Sequence, residues 1–250
     1  MDTTTPQLHP EPASPGTFST TRWTVVLEAG SNRSAGAAEA LEQLCRSYWY
    51  PLYAYVRRRG TGPEDARDLT QAFFARLLDR NTLAAADPNR GRFRSFLLKS
   101  MQNFLINEWQ KSVTEAGGVN GGFVAWDGNN PEHLYAAEPD ATVEPETLFD
   151  KRWATTVLDG ALGRLRDECR QAGKEQSFVV LKDFVWGDTP SRTYADLAAE
   201  LGVAEGNVAV MVHRLRARFR EILRAEIAQT VATPADIDDE LRHLARVMSH

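Results

Sequence analysis

The sequence predicts an all-α protein of two small helical domains, an N-terminal helical bundle and a C-terminal helix-turn-helix domain, joined by an acidic Gly-rich linker. Three observations lead there. From Thr21 onward apolar residues recur at three- and four-residue spacing, and almost no stretch alternates with the two-residue period of a strand. Between residues 114 and 144 the period gives way to Gly117-Gly118, Gly121-Gly122, Gly128-Asn129-Asn130-Pro131 and a cluster of acids. A length of 250 residues also suits two units of ordinary size.

Residues 1–19, rich in Thr, Pro and Ser, carry no hydrophobic period and read as a disordered leader. A first domain follows over 20–113. It opens with a short helix, Trp23 to Ala29, and a long one from about Ser34 to Arg59, where Leu41, Leu44, Tyr48, Leu52, Tyr55 and Val56 make a stripe that Pro51 should kink or split. Gly62 marks the next boundary, and Pro63 suits a first helical position, where a missing N–H costs nothing. Glu64 and Asp65 complement the positive helix end, and Ala66, Leu69, Phe73, Phe74, Leu77 and Leu78 form the inward stripe. After the breaker Asp87-Pro88-Asn89-Arg90-Gly91 a helix runs from Phe93 to Val113.

The linker 114–144 has apolar islands, Phe123, Val124, Trp126, Leu134 and Tyr135, which suggest that it lies along a surface. The second domain, 145–230, holds helices over Pro145–Gly173, Phe178–Trp186, Thr193–Leu201 and Glu205–Gln229. A tail over 231–250 begins its helix at Pro234, with Ile237, Leu241, Leu244 and Val247 apolar and Asp236, Asp238, Asp239 and Glu240 beside them. Such a helix could pack on the preceding domain, shield its arginines, or meet a partner helix.

Composition narrows the function. With 42% hydrophobic and 25% charged residues the chain is globular. No run approaches the ~18 apolar residues of a membrane span, and no basic stretch precedes an apolar one at the N-terminus, so a cytoplasmic protein without membrane contact is expected. Cys45 and Cys169 lie far apart and the five histidines are scattered, so no metal and no cofactor is expected. The absence of a glycine-rich phosphate loop, a nucleophile elbow and a Cys/His dyad argues against an enzyme.

Net charge is −5, which by itself disfavours nucleic acid. The sum conceals segregation: between Lys111 and Thr147 seven acids face one base, so the rest of the chain is close to neutral. Basic charge gathers in blocks at Arg57-Arg58-Arg59, Arg90 to Lys99 and Arg214 to Arg224.

Thr193 to Arg216 is the most informative segment. Thr193 and Asp196 form a capping box, Gly202 supplies a left-handed residue that ends the short helix, and Val203 plugs the corner. The following helix turns Val208, Val212, Leu215 and Phe219 inward, while Arg214, Arg216, Arg218, Arg220 and Arg224 line its outer side. This is a helix-turn-helix layout whose arginines suit phosphate contact.

Four segments together resemble the extracytoplasmic-function (ECF, group four) sigma factors of bacterial RNA polymerase. They are Tyr48 to Arg58, Glu64 to Phe74, Gly91 to Asn107, and the helix-turn-helix ending at His213-Arg214-Leu215-Arg216. The resemblance covers about Thr21 to Ala228 and implies that the chain directs core RNA polymerase to two promoter elements, of −10 and −35 type, and helps to open the downstream one. It assigns Asp65, Asp68 and Gln71 to docking on the clamp of the largest polymerase subunit, an acidic edge against a basic partner. Promoter melting falls to Arg92, Arg94, Lys99, Asn103, Asn107 and Trp109, which combine cations for phosphates with groups that hold unstacked bases. Upstream DNA contacts fall to Arg192, Thr193, Tyr194, Glu205, Asn207, Val210, Met211, Arg214 and Arg218. Where relatives usually present Lys, Ser or Arg to bases this chain has Ala209, Val210 and Met211, so readout passes to Asn207, thymine methyls and DNA shape. An anti-sigma factor, a kinase or the chain's own tail are the candidate restraints on such a protein. Thr70 on the docking helix offers a phosphorylation site to set against an ordinary hydroxyl bonded back to a carbonyl. The alternative function is an autonomous helix-turn-helix regulator with an N-terminal sensing or dimerisation bundle.

Overall fold

The computed structural model describes residues 35–77, 92–114, 131–138, 142–186, 192–231 and 233–249, with the side chains of 35–45 and 111–114 left aside. The expected leader, the Trp23–Ala29 helix, Leu78 and most of the glycine-rich stretch lie outside these residues. Nine helices occur within them: α1 Ala35–Arg58, α2 Pro63–Leu77, α3 Phe93–Thr114, α4 Pro131–Ala136, α5 Pro145–Gln171, α6 Glu175–Leu181, α7 Tyr194–Leu201, α8 Glu205–Ala228 and α9 Pro234–Met248. A 3₁₀ turn, Lys182–Phe184, extends α6, and no strand occurs among the described residues. Pro51 does not split α1, which runs through it.

The second half of α1 organises the molecule because it is apolar around its whole circumference. Tyr48, Trp49, Tyr50, Leu52, Tyr53, Ala54, Tyr55 and Val56 are all buried. A helix of that kind needs neighbours on every side. On α2, Ala66, Phe73, Phe74 and Leu77 are buried, and α3 contributes Phe93, Leu97, Met101 and Phe104. The longest contact of α1, however, is with α5, whose Leu148, Phe149, Trp153, Ala154, Leu158, Ala161 and Leu165 form its inner face. Trp153 Nε1–H donates to the Tyr48 hydroxyl at 3.1 Å, with both side chains fully buried.

The expected boundary at residue 145 falls within this packing. One core joins α1, α2, α3, α5, the C-terminal half of α8 (Phe219, Ile222, Leu223, Ile227) and α9 (Ile237, Leu244). A second, smaller core of Val180, Leu181, Phe184, Leu197, Ala198, Val208 and Val212 holds α6, α7 and the N-terminal half of α8. Half-buried Leu215 packs against both. The physical reason is the excess apolar surface of α1, which α2 and α3 together leave uncovered and α5 closes.

The linker is likewise tied down where it is described. Arg57 donates from Nε and Nη2 to the two carboxylate oxygens of Glu132 at 3.0 and 2.7 Å, and the Tyr53 hydroxyl donates to Glu132 Oε2 at 2.6 Å. Tyr50 donates to Glu138 Oε1 at 3.0 Å, and the Arg57 guanidinium lies 4.7 Å from the centre of the Tyr135 ring. Residues 131–138 are therefore docked on α1, with Glu132 at the basic end of that helix and Glu138 between Tyr50 and Arg152 of α5.

Candidate functional site

Three surfaces carry the residues singled out above. On α2, Pro63 occupies the first turn with Glu64 and Asp65 beside it. The buried residues of this helix leave Asp65 and Asp68 exposed and Gln71 half-exposed, one turn apart along the opposite side. The structure thus brings the expected acidic edge together. Thr70 points the other way: it is fully buried and donates its hydroxyl to the Ala66 carbonyl at 2.7 Å, the ordinary back-bonded hydroxyl and not a group presented for phosphorylation.

On α3 the apolar residues Phe93, Leu97, Met101 and Phe104 face the core, which turns Lys99, Asn103, Ile106, Asn107 and Gln110 to solvent at helical spacing. Trp109 is 69% exposed and Ile106 52%. Exposed apolar and planar groups between amides and a lysine suit stacking of unpaired bases.

The first turn of α3 behaves differently. Arg94, expected as a DNA contact, is only 6% exposed. Its Nε donates to Glu240 Oε1 at 3.1 Å, its Nη1 to Asp150 Oδ1 at 2.6 Å, and its guanidinium lies 5.0 Å from the centre of the Trp153 ring. Burial works against its charge, but Glu240 and then Asp150 outweigh that and hold the guanidinium above its ordinary value. Arg92 is also engaged, with Nε 3.1 Å from Glu240 Oε2 and Nη2 3.8 Å from Asp239. His243 Nε2 lies 3.1 Å from Asp150 Oδ2, and burial followed by the Arg94 charge pushes its imidazole below the ordinary value, favouring a neutral ring that donates to Asp150.

The sequence sets Glu240 among the acids of the tail helix, and nothing in it marks Asp150 or His243. One signal was available for Glu240, which stands three residues after Ile237 and four before Leu244, within the apolar stripe of α9. It is 1% exposed.

The third surface is the helix pair α7–α8. The capping box forms as expected, with the Thr193 hydroxyl accepting from the Asp196 N–H at 3.2 Å and the Thr193 N–H donating to Asp196 Oδ2 at 2.8 Å. Gly202 caps α7 at φ +65°, and Val203 donates its N–H to the Ala198 carbonyl at 3.0 Å. These bonds set α8 across α7 and leave Glu205, Asn207, Ala209, Val210, His213 and Arg214 exposed, with Met211 half-buried. Several of the expected contacts have structural partners instead. Thr193 is engaged in the cap, Tyr194 is half-buried against Phe184 with ring centres 5.5 Å apart, and Arg192 pairs with Glu200. Arg218 forks onto Glu168 at 2.7 Å through both Nε and Nη2 and also reaches Glu221, Arg216 donates to the Phe184 carbonyl at 2.6 Å, and Arg224 pairs with Asp238 at 2.5 Å. The arginine row thus anchors α8 to α5, to the 3₁₀ turn and to α9 as well as facing solvent.

Residues 44–114 match the family model of sigma-70 region 2. These N-terminal helices are similar to sigma-70 region 2. The match spans α1 from residue 44, α2 and α3 whole, and hence both the acidic edge and the exposed face of α3. A sigma-70 region 2 supports a role in binding core RNA polymerase and melting promoter DNA. No match was found among curated proteins or among solved structures. Among the described residues no helix is long and apolar enough to cross a membrane, and no three or more His, Cys, Asp or Glu side chains gather as metal ligands would.

Proposed function

We propose that this chain is a sigma factor of the extracytoplasmic-function type, a non-catalytic cytoplasmic subunit that takes core RNA polymerase to two promoter elements. The observation that carries the proposal is the region 2 match laid over a bundle with two separate outward faces, one acidic on α2 and one of Lys99, Asn103, Asn107 and Trp109 on α3. The acidic face would dock on the polymerase clamp, and the α3 face would hold the bases of the melted downstream element. The pair α7–α8 would be the helix-turn-helix of a region 4 and lie on the upstream element through Asn207, Val210, Met211 and Arg214. The capped turn at Gly202 and the solvent-facing N-terminal half of α8 support that role.

The test is transcription reconstituted with core RNA polymerase on a pool of genomic fragments, comparing the wild type with Asp65→Ala/Asp68→Ala. Both residues are exposed, so the variant should fold normally while losing polymerase binding and initiation from discrete sites. Salt-sensitive duplex binding by the protein alone, with no polymerase binding, would overturn the proposal in favour of an autonomous regulator.

A further inference from the structure

The ionic cluster beneath α9 has an unusual composition for a structural contact. Burying charged pairs is costly, and apolar residues of similar size commonly hold helices together as well or better. Here the chain buries Glu240 and Arg94 and partly buries Arg92, Asp150 and His243 at the junction of α3, α5 and α9. The cations belong to the first turn of the helix whose outer face is read as the promoter-melting surface. The carboxylates that neutralise them come largely from the last helix of the described chain. The α8–α9 connection reaches the same place, since the Phe93 N–H at the start of α3 donates to the Thr230 carbonyl at 3.3 Å.

We propose that α9 is an intramolecular clamp in which Asp239 and Glu240 occupy Arg92 and Arg94 in place of DNA phosphates, so that α9 must swing away before these cations can engage promoter DNA. The proposal rests on the nucleic-acid role given to α3 above. α9 follows α8 through a short connection and rests on the shared core through Ile237 and Leu244, the apolar contact that its release has to break. Its tie to the arginine row, Arg224 to Asp238, is an exposed pair of the kind that holds weakly and yields to salt. Release would free Arg92 from both of its acidic partners and leave Arg94 with Asp150 alone. Of the acids at the start of α9, Asp239 and Glu240 meet the α3 arginines, while Asp236 closes the Thr233 cap and Asp238 pairs with Arg224.

The experiment uses the full chain and a fluorescein-labelled, mixed-sequence single-stranded DNA, with anisotropy followed across a salt series. Asp239→Asn/Glu240→Gln removes both carboxylate charges and keeps the side-chain shapes. Freed cations that take up one or two phosphates steepen the log–log salt dependence by ~0.7–1.4. The variant should then bind more tightly at low salt and lose ~3–7-fold more affinity than the wild type between ~50 and ~200 mM salt. Adding Arg92→Gln should cut that gain. Binding and salt slope equal to wild type, in a variant that still melts cooperatively, would overturn the clamp, as would a gain that Arg92→Gln leaves intact. Should the double variant fail to fold, Asp239→Asn serves instead: it removes the half-exposed carboxylate that faces Arg92, and tighter binding that Arg92→Gln abolishes supports the clamp whereas unchanged binding overturns it. The two proposals fail differently. A wild type that does not initiate with polymerase defeats the sigma reading, while normal initiation with no difference between wild type and Asp239→Asn/Glu240→Gln defeats the clamp alone.

Discussion

Trp153 is where the shared core can be measured. Its indole is 1% exposed, its N–H donates to Tyr48 of α1 at 3.1 Å, and the Arg94 guanidinium lies 5.0 Å from its ring centre. Trp153→Ala removes a large buried ring and should cost about 3–5 kcal/mol. For a chain of this size, where each kcal/mol shifts the midpoint by roughly 2–4 °C, that lowers Tm by ~6–20 °C. Tyr48→Phe is the subtler probe. It deletes one hydroxyl, leaves the indole N–H buried without that partner, and should cost about 1–3 kcal/mol. Trp153→Phe together with Tyr48→Phe removes donor and acceptor at once, so the double variant should be more stable than additivity predicts by about 0.5–1.5 kcal/mol. Urea unfolding followed by both tryptophan fluorescence and far-ultraviolet circular dichroism reads the wild type, Trp153→Ala, Tyr48→Phe, Trp153→Phe and the double variant. Because Tyr48 and Trp153 lie in sequence halves 105 residues apart, each variant should move a single transition seen by both probes. Two separable transitions, only one of them displaced by Trp153→Ala, would refute the shared core. A Tyr48→Phe variant within ~0.3 kcal/mol of wild type would refute the buried hydrogen bond.

Three further outcomes follow from particular residues. The Arg57 hydrogen bonds, opposed by burial and helped by the Tyr53 hydroxyl, hold the Glu132 carboxyl below its ordinary value of 4.5; its contribution to stability is therefore full above about pH 4.5 and fades as pH falls through the lowered value. Unfolding free energies of wild type and Glu132→Gln should differ by a constant amount near neutrality and converge in acid. Gly202→Ala places a Cβ in open space but at φ +65°, so it should cost about 1–2 kcal/mol through backbone strain alone, visible as a lower thermal midpoint. Thr70→Asp buries a carboxylate where a hydroxyl met a backbone carbonyl and should cost about 3 kcal/mol or more, whereas Thr70→Val should stay folded, which denaturant titration distinguishes.

Local chemistry was legible in residue order. Pro63 and the acids after it mark the start of α2, Thr193 and Asp196 the start of α7, and Gly202 its end, because caps and turns depend on residues within a few positions of one another. The outward acids of α2 and the exposed face of α3 were readable for the same reason: a 3.6-residue period places each residue on one side of its own helix. Which other helix that side meets is not a local property. Tyr48 to Val56 declares itself apolar on every side without saying that α5 covers part of it, and Arg92 and Arg94 look alike as basic residues of one turn whether or not α9 lies over them. The desolvation of Arg94, the burial of Glu240 and the docking of residues 131–138 on α1 arise only when segments some 75 to 146 residues apart come together. The periodicity of this chain therefore specified its helices and their outward chemistry, while the tertiary packing decided which charges remain available to a partner.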